Sequence, residues 1–319
     1  MLAMPLGGLQ ALAAVLFVTA EDSPFQQEFL SKQRSYYTNP LTWQVKSHPG
    51  TSLTGFMAPA RLSTPDPNER EWATVQTLIQ AGNYTLADLC NRAKVVVAVG
   101  GTAALASTQD CTTPTVVVLT ARQQLSELLH GPHRAAVSAI YLEADPTLNL
   151  RLLRAVLPKA VTVGVLVSPP GQVWLPGLRT TASALRLQLD EIEAAQDEQA
   201  VRALRARISG LDALLLLPET TTVNEWSLKP ILLMAVRNSV PTFGGLTESY
   251  VNAGVMAAVV PDWDRLHDQI TTLVERLTQG AVPPPAYPQA TRIIINKTVA
   301  RTLSIRLDGV EQLLTEPPR

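Results

Sequence analysis

Catalysis or metal binding would need histidine, cysteine or carboxylate groups in a workable arrangement, and the sequence supplies few. The histidines are His48, His130, His133 and His267, and the cysteines are Cys90 and Cys111. His130 and His133 are three apart, but Gly131 and Pro132 between them keep the two rings off a common helical face, so no metal pair is expected there. Neither cysteine has a histidine nearby in sequence to serve as its base. There is no G-x-S-x-G elbow, no Walker A loop and no G-x-G-x-x-G turn. Acidic pairs such as Glu21/Asp22 and Glu191/Glu193 read as surface carboxylates. The expectation is no catalytic residue, no metal and no cofactor. One local pattern does suit binding: Gly100-Gly101-Thr102 follows an apolar run and opens a helix, so its backbone N–H groups could receive an anion or carboxylate. The plain alternative is a tight strand-to-helix turn.

Short apolar runs alternate with amphipathic stretches along the chain. The runs are 13–19, 95–100, 115–119, 137–142, 161–167, 213–217, 240–243, 255–260 and 292–296, with weaker candidates at Val45 and 187–192. Helical stretches fall near 25–35, 69–81, 102–107, 122–130, 146–157, 178–185, 197–209, 224–238 and 263–279. Such alternation defines an α/β fold with parallel sheets covered by helices on both faces. About ten strands suit two sheets better than one. Pro24 and Pro146 sit at helix starts, where a missing N–H is harmless, and Pro283-Pro284-Pro285 makes a stiff connector. Ligands of parallel sheets bind beyond the carboxyl ends of the strands. There the chain is polar: Glu21-Asp22-Ser23, Gly100-Gly101-Thr102, Thr120-Ala121-Arg122, Ser168–Gly171, Pro218–Thr222 and Gly244–Tyr250.

The cysteines support one geometric expectation. Cys90 precedes the run at 95 and Cys111 the run at 115. If those are adjacent parallel strands, both thiols lie at the end of the sheet opposite the ligand face, close enough for a disulfide. The alternative is two unlinked buried thiols.

Composition narrows the class. The chain has 319 residues, of which 46% are hydrophobic and only 17% charged, with a net charge of −1. That leaves no electrostatic footprint for nucleic acid and no signature of disorder. Residues 1–20 carry no charge. Pro5, Gly7, Gly8 and Gln10 weaken a membrane span, and no other segment is apolar enough for one. The stretch 13–19 reads as a buried strand. Residues 1–12 read as the remnant of a secretory signal, with Ala11-Leu12-Ala13 resembling a cleavage site but no basic start.

Residues 212–254 carry a resemblance. Asp212–Pro218, Pro230–Leu233, Val240–Gly245 and Glu248–Gly254 resemble the ABC transporter substrate-binding proteins that include tryptophan and tyrosine binders. Val95–Thr102, Leu152–Leu157 before Val163–Leu166, the segment Asn296–Leu303, and the opening strand with Glu21–Pro24 extend the likeness over most of 13–307. The chain departs from the family pattern at Thr120-Ala121-Arg122-Gln123, where relatives often carry Ser/Asp-Pro, and at Pro261–Asp264.

The resemblance implies a type I periplasmic-binding fold: two Rossmann-like lobes joined by three crossings, with ligand in the cleft. The lobes would be 13–134 with 262–284, and 135–261 with 285–319. It further implies a monomeric, periplasmic or otherwise extracytoplasmic protein that binds a small molecule and meets a membrane permease. For an amino-acid-like ligand, the carboxylate would meet Gly101, Thr102 and the fork of Arg122. The ammonium would meet Glu219, Glu248 or Asp262, and Trp174 or Tyr250 would stack on the side chain. Asp22, Ser23, Thr120, Ser168 and Ser249 complete the expected strand-end set. Two other functions compete. One is a sensor or orphan binding module uncoupled from transport; the other is an enzyme on the same scaffold, which the lack of histidine in the strand-end loops disfavours.

Overall fold

The structure is a computed structural model that describes residues 13–19, 29, 41–45, 55–56 and 85–307. Asp22, Ser23, His48, the signal-like stretch 1–12 and the expected helices at 25–35 (Phe29 apart) and 69–81 lie outside the described residues. The chain divides into two compact units. Unit 1 holds the part up to Thr120, Gln124–Tyr141 and Trp263–Ala286; unit 2 holds Ala121–Gln123, Leu142–Asp262 and the part from Tyr287 onward.

Unit 1 is built on a six-stranded sheet in the order β3-β2-β1-β4-β5-β6. The strands are β1 (Ala13–Thr19), β2 (Leu41–Val45), β3 (Gly55–Phe56), β4 (Ala93–Val99), β5 (Thr115–Thr120) and β6 (Val137–Tyr141). All pair in parallel except β2 with β3. β4 and β5 are Val-rich and almost wholly buried, as expected of strands covered on both faces. Helices α1 (Leu86–Cys90), α2 (Gly101–Asp110) and α3 (Arg122–His130) follow in sequence. Leu86, Leu89, Ala103, Ala104 and Leu125 from these helices pack on Leu16, Val18, Val96, Ala98 and Val117 on one face of the sheet. Between β4 and β5 the chain makes one helix and a short return, which brings Cys90 and Cys111 to the same end of neighbouring strands. They are joined as a disulfide, with Cα atoms 5.6 Å apart.

Unit 2 repeats the plan with the order β12-β11-β10-β9-β7-β8. Its strands are β7 (Thr162–Val167), β8 (Gln188–Glu193), β9 (Ala213–Leu216), β10 (Thr242–Gly244), β11 (Ala257–Pro261) and β12 (Thr291–Ile295). Its helices are α4 (Pro146–Val156), α5 (Leu175–Ala184), α6 (Asp197–Arg207), α7 (Leu228–Arg237), α8 (Glu248–Ala253) and α10 (Lys297–Thr302); α9 (His267–Thr278) belongs to unit 1. Period-two alternation divides the core. Val163, Val165, Leu215 and Phe243 face α4 and α5, whereas Leu166, Leu214, Leu216 and Ala258 face the side chains of α6, α7 and α8. Asn149 of α4 ties this layer to the sheet, accepting from the Val259 N–H at 2.8 Å.

The structure differs from the sequence expectation in three respects. The sheets are not wholly parallel: β3 and β12 run antiparallel to their neighbours. For β12 the reason is connectivity, because the chain re-enters beside the end of β11, with the Asp262 N–H donating to the Ala290 carbonyl, and can only run back along it. Next, β6, placed in the second lobe by the expected boundary at 134/135, hydrogen-bonds into the first sheet. Finally, the expected helix at 224–238 begins only at Leu228. Asn224 Oδ1 accepts from the N–H groups of Trp226 and Ser227, a turn that competes with the helix.

Candidate functional site

In doubly wound sheets the ligand crevice opens where the strand order reverses. In unit 1 that point lies between β1 and β4, and in unit 2 between β7 and β9. The residues at these two points differ in how fully the protein itself satisfies them.

In unit 1, β4 ends at Val99 and the chain turns through Gly100, whose φ of +86° only glycine adopts without strain. Its N–H donates to Val118 at 2.9 Å, and α2 begins at Gly101 with no side chain capping the helix. Among the described residues the first-turn N–H groups, including those of Gly101 and Thr102, have no side-chain acceptor. On the adjacent strand the register shifts between Val118 and Thr120, and Leu119 takes a φ of +56°, unusual for a non-glycine residue. Thr120 is buried, and its Oγ1 has no hydrogen-bond partner among the described residues.

Unit 2 fills its own crevice. Glu219, after β9, is 1% exposed. Its carboxylate accepts from the Ser168 N–H at 3.2 Å and from the hydroxyls of Ser168 and Thr222. Ser168 Oγ accepts in turn from the Gly171 N–H at 3.0 Å. A Cβ at Gly171 would stand 2.9 Å from a Glu219 oxygen, so the loop after β7 can close on the carboxylate only with glycine there. Burial, then the nearby Glu219 charge, push the Tyr250 phenol upward; its hydroxyl donates to Val223 at 3.2 Å.

A third group was missed in the sequence. Glu143, just after β6, is 1% exposed, and burial pushes its carboxyl up to about 7 against the N–H groups and the Arg122 charge that pull it down. Both of its oxygens accept from the backbone N–H of Arg122, at 3.1 and 3.2 Å. The Arg122 guanidinium donates to the Tyr287 hydroxyl at 2.7 Å and lies 5.7 Å from that ring's centre. Burial pushes Tyr287 to about 12, and the Asp145 and Glu143 charges add to the rise. Glu143 ends an ordinary apolar run, which hides it; the only sequence signal was a carboxylate directly after a strand.

The expected site residues therefore separate. Gly101, Thr102 and Thr120 come together at the end of unit 1's sheet, and Arg122 is fixed by Glu143 and Tyr287. Ser168 and Glu219 bond each other. Glu248 pairs with Arg292 at 2.6 Å, and Ser249 Oγ shares a 2.6 Å bond with Thr247. Asp262 is half-buried at the end of β11. Trp174 is corrected: it is 3% exposed inside the unit 2 core, because the 3₁₀ turn Pro170–Trp174 leads straight into α5 and points the indole inward, so it offers no stacking face. Among the described residues no group of three His, Cys, Asp or Glu could hold a metal, and no helix is long and apolar enough to cross a membrane.

Two doubly wound units sharing one chain are the architecture of the type I periplasmic-binding fold, and solved structures agree. An ABC domain from Streptococcus pneumonia in complex with L-Trp is 16% identical, with a TM-score of 0.55, covering 95% of this chain and 98% of its own. A conserved domain protein from Vibrio cholerae gives 16% and 0.56 over 95% and 98%. A ligand-free, open substrate-binding protein with adhesive properties from Clostridium difficile gives 15% and 0.59 over 92% and 95%. The model of the ABC transporter substrate binding protein family matches residues 76–318, and the chain belongs to that family. No curated protein sequence matches it.

Proposed function

We propose that the protein is the solute-binding component of an ABC importer and that it captures an amino-acid-like molecule at the strand-end loops. The observation that carries this reading is the N-terminus of α2, which follows β4 and has no side-chain cap among the described residues, together with the neighbouring strand β5, which ends in Thr120, a buried residue whose Oγ1 has no partner among the described residues. Helix N–H groups and a hydroxyl donor suit a carboxylate. Arg122, oriented by Tyr287, adds a fixed positive charge for the same group. Of the acidic residues expected to meet an ammonium, Glu219 and Glu248 are taken up within unit 2 by Ser168, Thr222 and Arg292. The protein would work outside the cytoplasm, as a monomer, and hand its ligand to a membrane permease. A role in binding suits a strand-end chemistry of N–H groups and hydroxyls that, among the described residues, includes no nucleophile–base pair.

A thermal-shift screen of amino acids, nucleosides and small organic acids tests this. A ligand present at 100 times its Kd adds about 2.7 kcal/mol to stability. A shift with a free amino acid that vanishes with its carboxamide supports the reading; no shift across the amino acids overturns it.

A further inference from the structure

The chain passes between the two units at five points: 120/121, 123/124, 141/142, 262/263 and 286/287. Before two of these crossings the segments pair within unit 1, where the Tyr141 N–H donates to Ala286 at 3.0 Å and the Ala286 N–H to Ala139 at 3.0 Å. Beyond them, three residues meet inside unit 2. Arg122 comes from the three-residue stretch Ala121–Gln123, Glu143 follows the crossing after Tyr141, and Tyr287 is the first residue after Ala286. Each is bonded to another of the three: Arg122 through its backbone to Glu143 and through its side chain to Tyr287. Whatever movement one unit makes against the other must be absorbed by residues at such crossings.

We propose that Glu143 is a proton-sensitive keystone of these crossings, holding 121–123, 142–145 and 287 together while neutral and loosening them when ionised. The physical basis is burial. A carboxyl that is 1% exposed sits at low cost while protonated, and once charged it favours any arrangement that lets water reach it. Among the described residues, the charged and titratable groups facing the cluster include Arg122 from the start of α3, Tyr287 from the last of the five crossings and Asp145 from the N-cap of α4. Arg122 opposes the loosening and Asp145 does not. Burial outweighs them, leaving the carboxyl at about 7, so the device operates near neutrality.

Hydrogen exchange of the full chain, followed by mass spectrometry from pH 5.5 to 8.5 and corrected for intrinsic rates, tests this without any ligand. Peptides covering 121–123, 142–145 and 286–288 should open more as pH rises toward about 7 and then level off, by about thirtyfold between pH 5.5 and 8.5, while β7 stays unchanged. Glu143→Gln should abolish the step. No step, or the same step in Glu143→Gln, overturns the proposal. Should that variant not fold, the ¹³C titration of the Glu143 carboxyl in the unaltered chain decides. A midpoint near 7 supports the proposal, and one below about 5 overturns it. A protein that shows the step yet binds no amino acid would refute the proposed function and leave this inference standing.

Discussion

Replacing Glu219 by alanine separates a structural carboxylate from a ligand-binding one. The side chain is 1% exposed and accepts from Ser168 N–H, Ser168 Oγ and Thr222 Oγ1. A hydrogen bond to a charged acceptor contributes about 1.5–3 kcal/mol. Simple addition of three overstates the loss, because both hydroxyls can turn to other acceptors and water can enter the space. The Ser168 N–H cannot turn. The expected cost is about 3–5 kcal/mol, in the range for breaking a buried charged network. Glu219→Gln keeps one accepting oxygen but points an NH₂ at donors, and should cost about half as much. Urea unfolding followed by circular dichroism reads both. At about 1–3 kcal/mol per molar, the midpoint of the unit 2 transition should fall by about 1–5 M for alanine. A midpoint equal to that of the unaltered protein, together with lost ligand affinity, would refute the reasoning and return Glu219 to the ligand.

Reducing the Cys90–Cys111 bond, which spans 21 residues, should lower the stability of unit 1 by about 3 kcal/mol, read as a lower urea midpoint with dithiothreitol. Gly244→Ala puts a Cβ 2.6 Å from the Leu216 carbonyl at a φ of +86°, and should cost at least about 2 kcal/mol by thermal melting. Because the folded-state value of Glu143 is raised, its stabilising effect is complete below about 4.5 and lost as pH climbs through about 7. The melting temperature should fall across that window, by the equivalent of about 3 kcal/mol, and Glu143→Gln should flatten the fall. Asn149→Ala leaves the Val259 N–H buried without its acceptor and should cost about 1–3 kcal/mol, measured by the same melts.

The fold was largely legible because its signals are local. Runs such as 115–119 and 161–167 are short, aliphatic and bounded by polar turns, and they appear as strands within a residue or two. The short helices α1 and α8 were not foreseen. Five or six residues carry too little periodicity, and α1 is marked mainly by its Thr85–Asp88 capping box. Antiparallel β12 depends on where the chain returns from, which no local pattern encodes. The strand-end chemistry was legible as a set of loops. Its division was not: whether Glu219 faces a ligand or Ser168 depends on a contact 51 residues away. Likewise, Glu143 and Tyr287 matter only because both reach Arg122.

The central claim is that solute is held at the unit 1 strand ends. A competing place exists in unit 2: a cavity of about 600 Å³ at the amino ends of β7 and β9, lined by residues including Ala155–Ala160, Asp212 and Ser304–Arg306. Amide chemical-shift mapping with the amino acid that gives the largest thermal shift separates the two most directly. The account predicts the strongest shifts at Gly101, Thr102 and Thr120. Shifts confined to Ala155–Ala160 and Ser304–Arg306, with Gly101 and Thr102 unmoved, would contradict it.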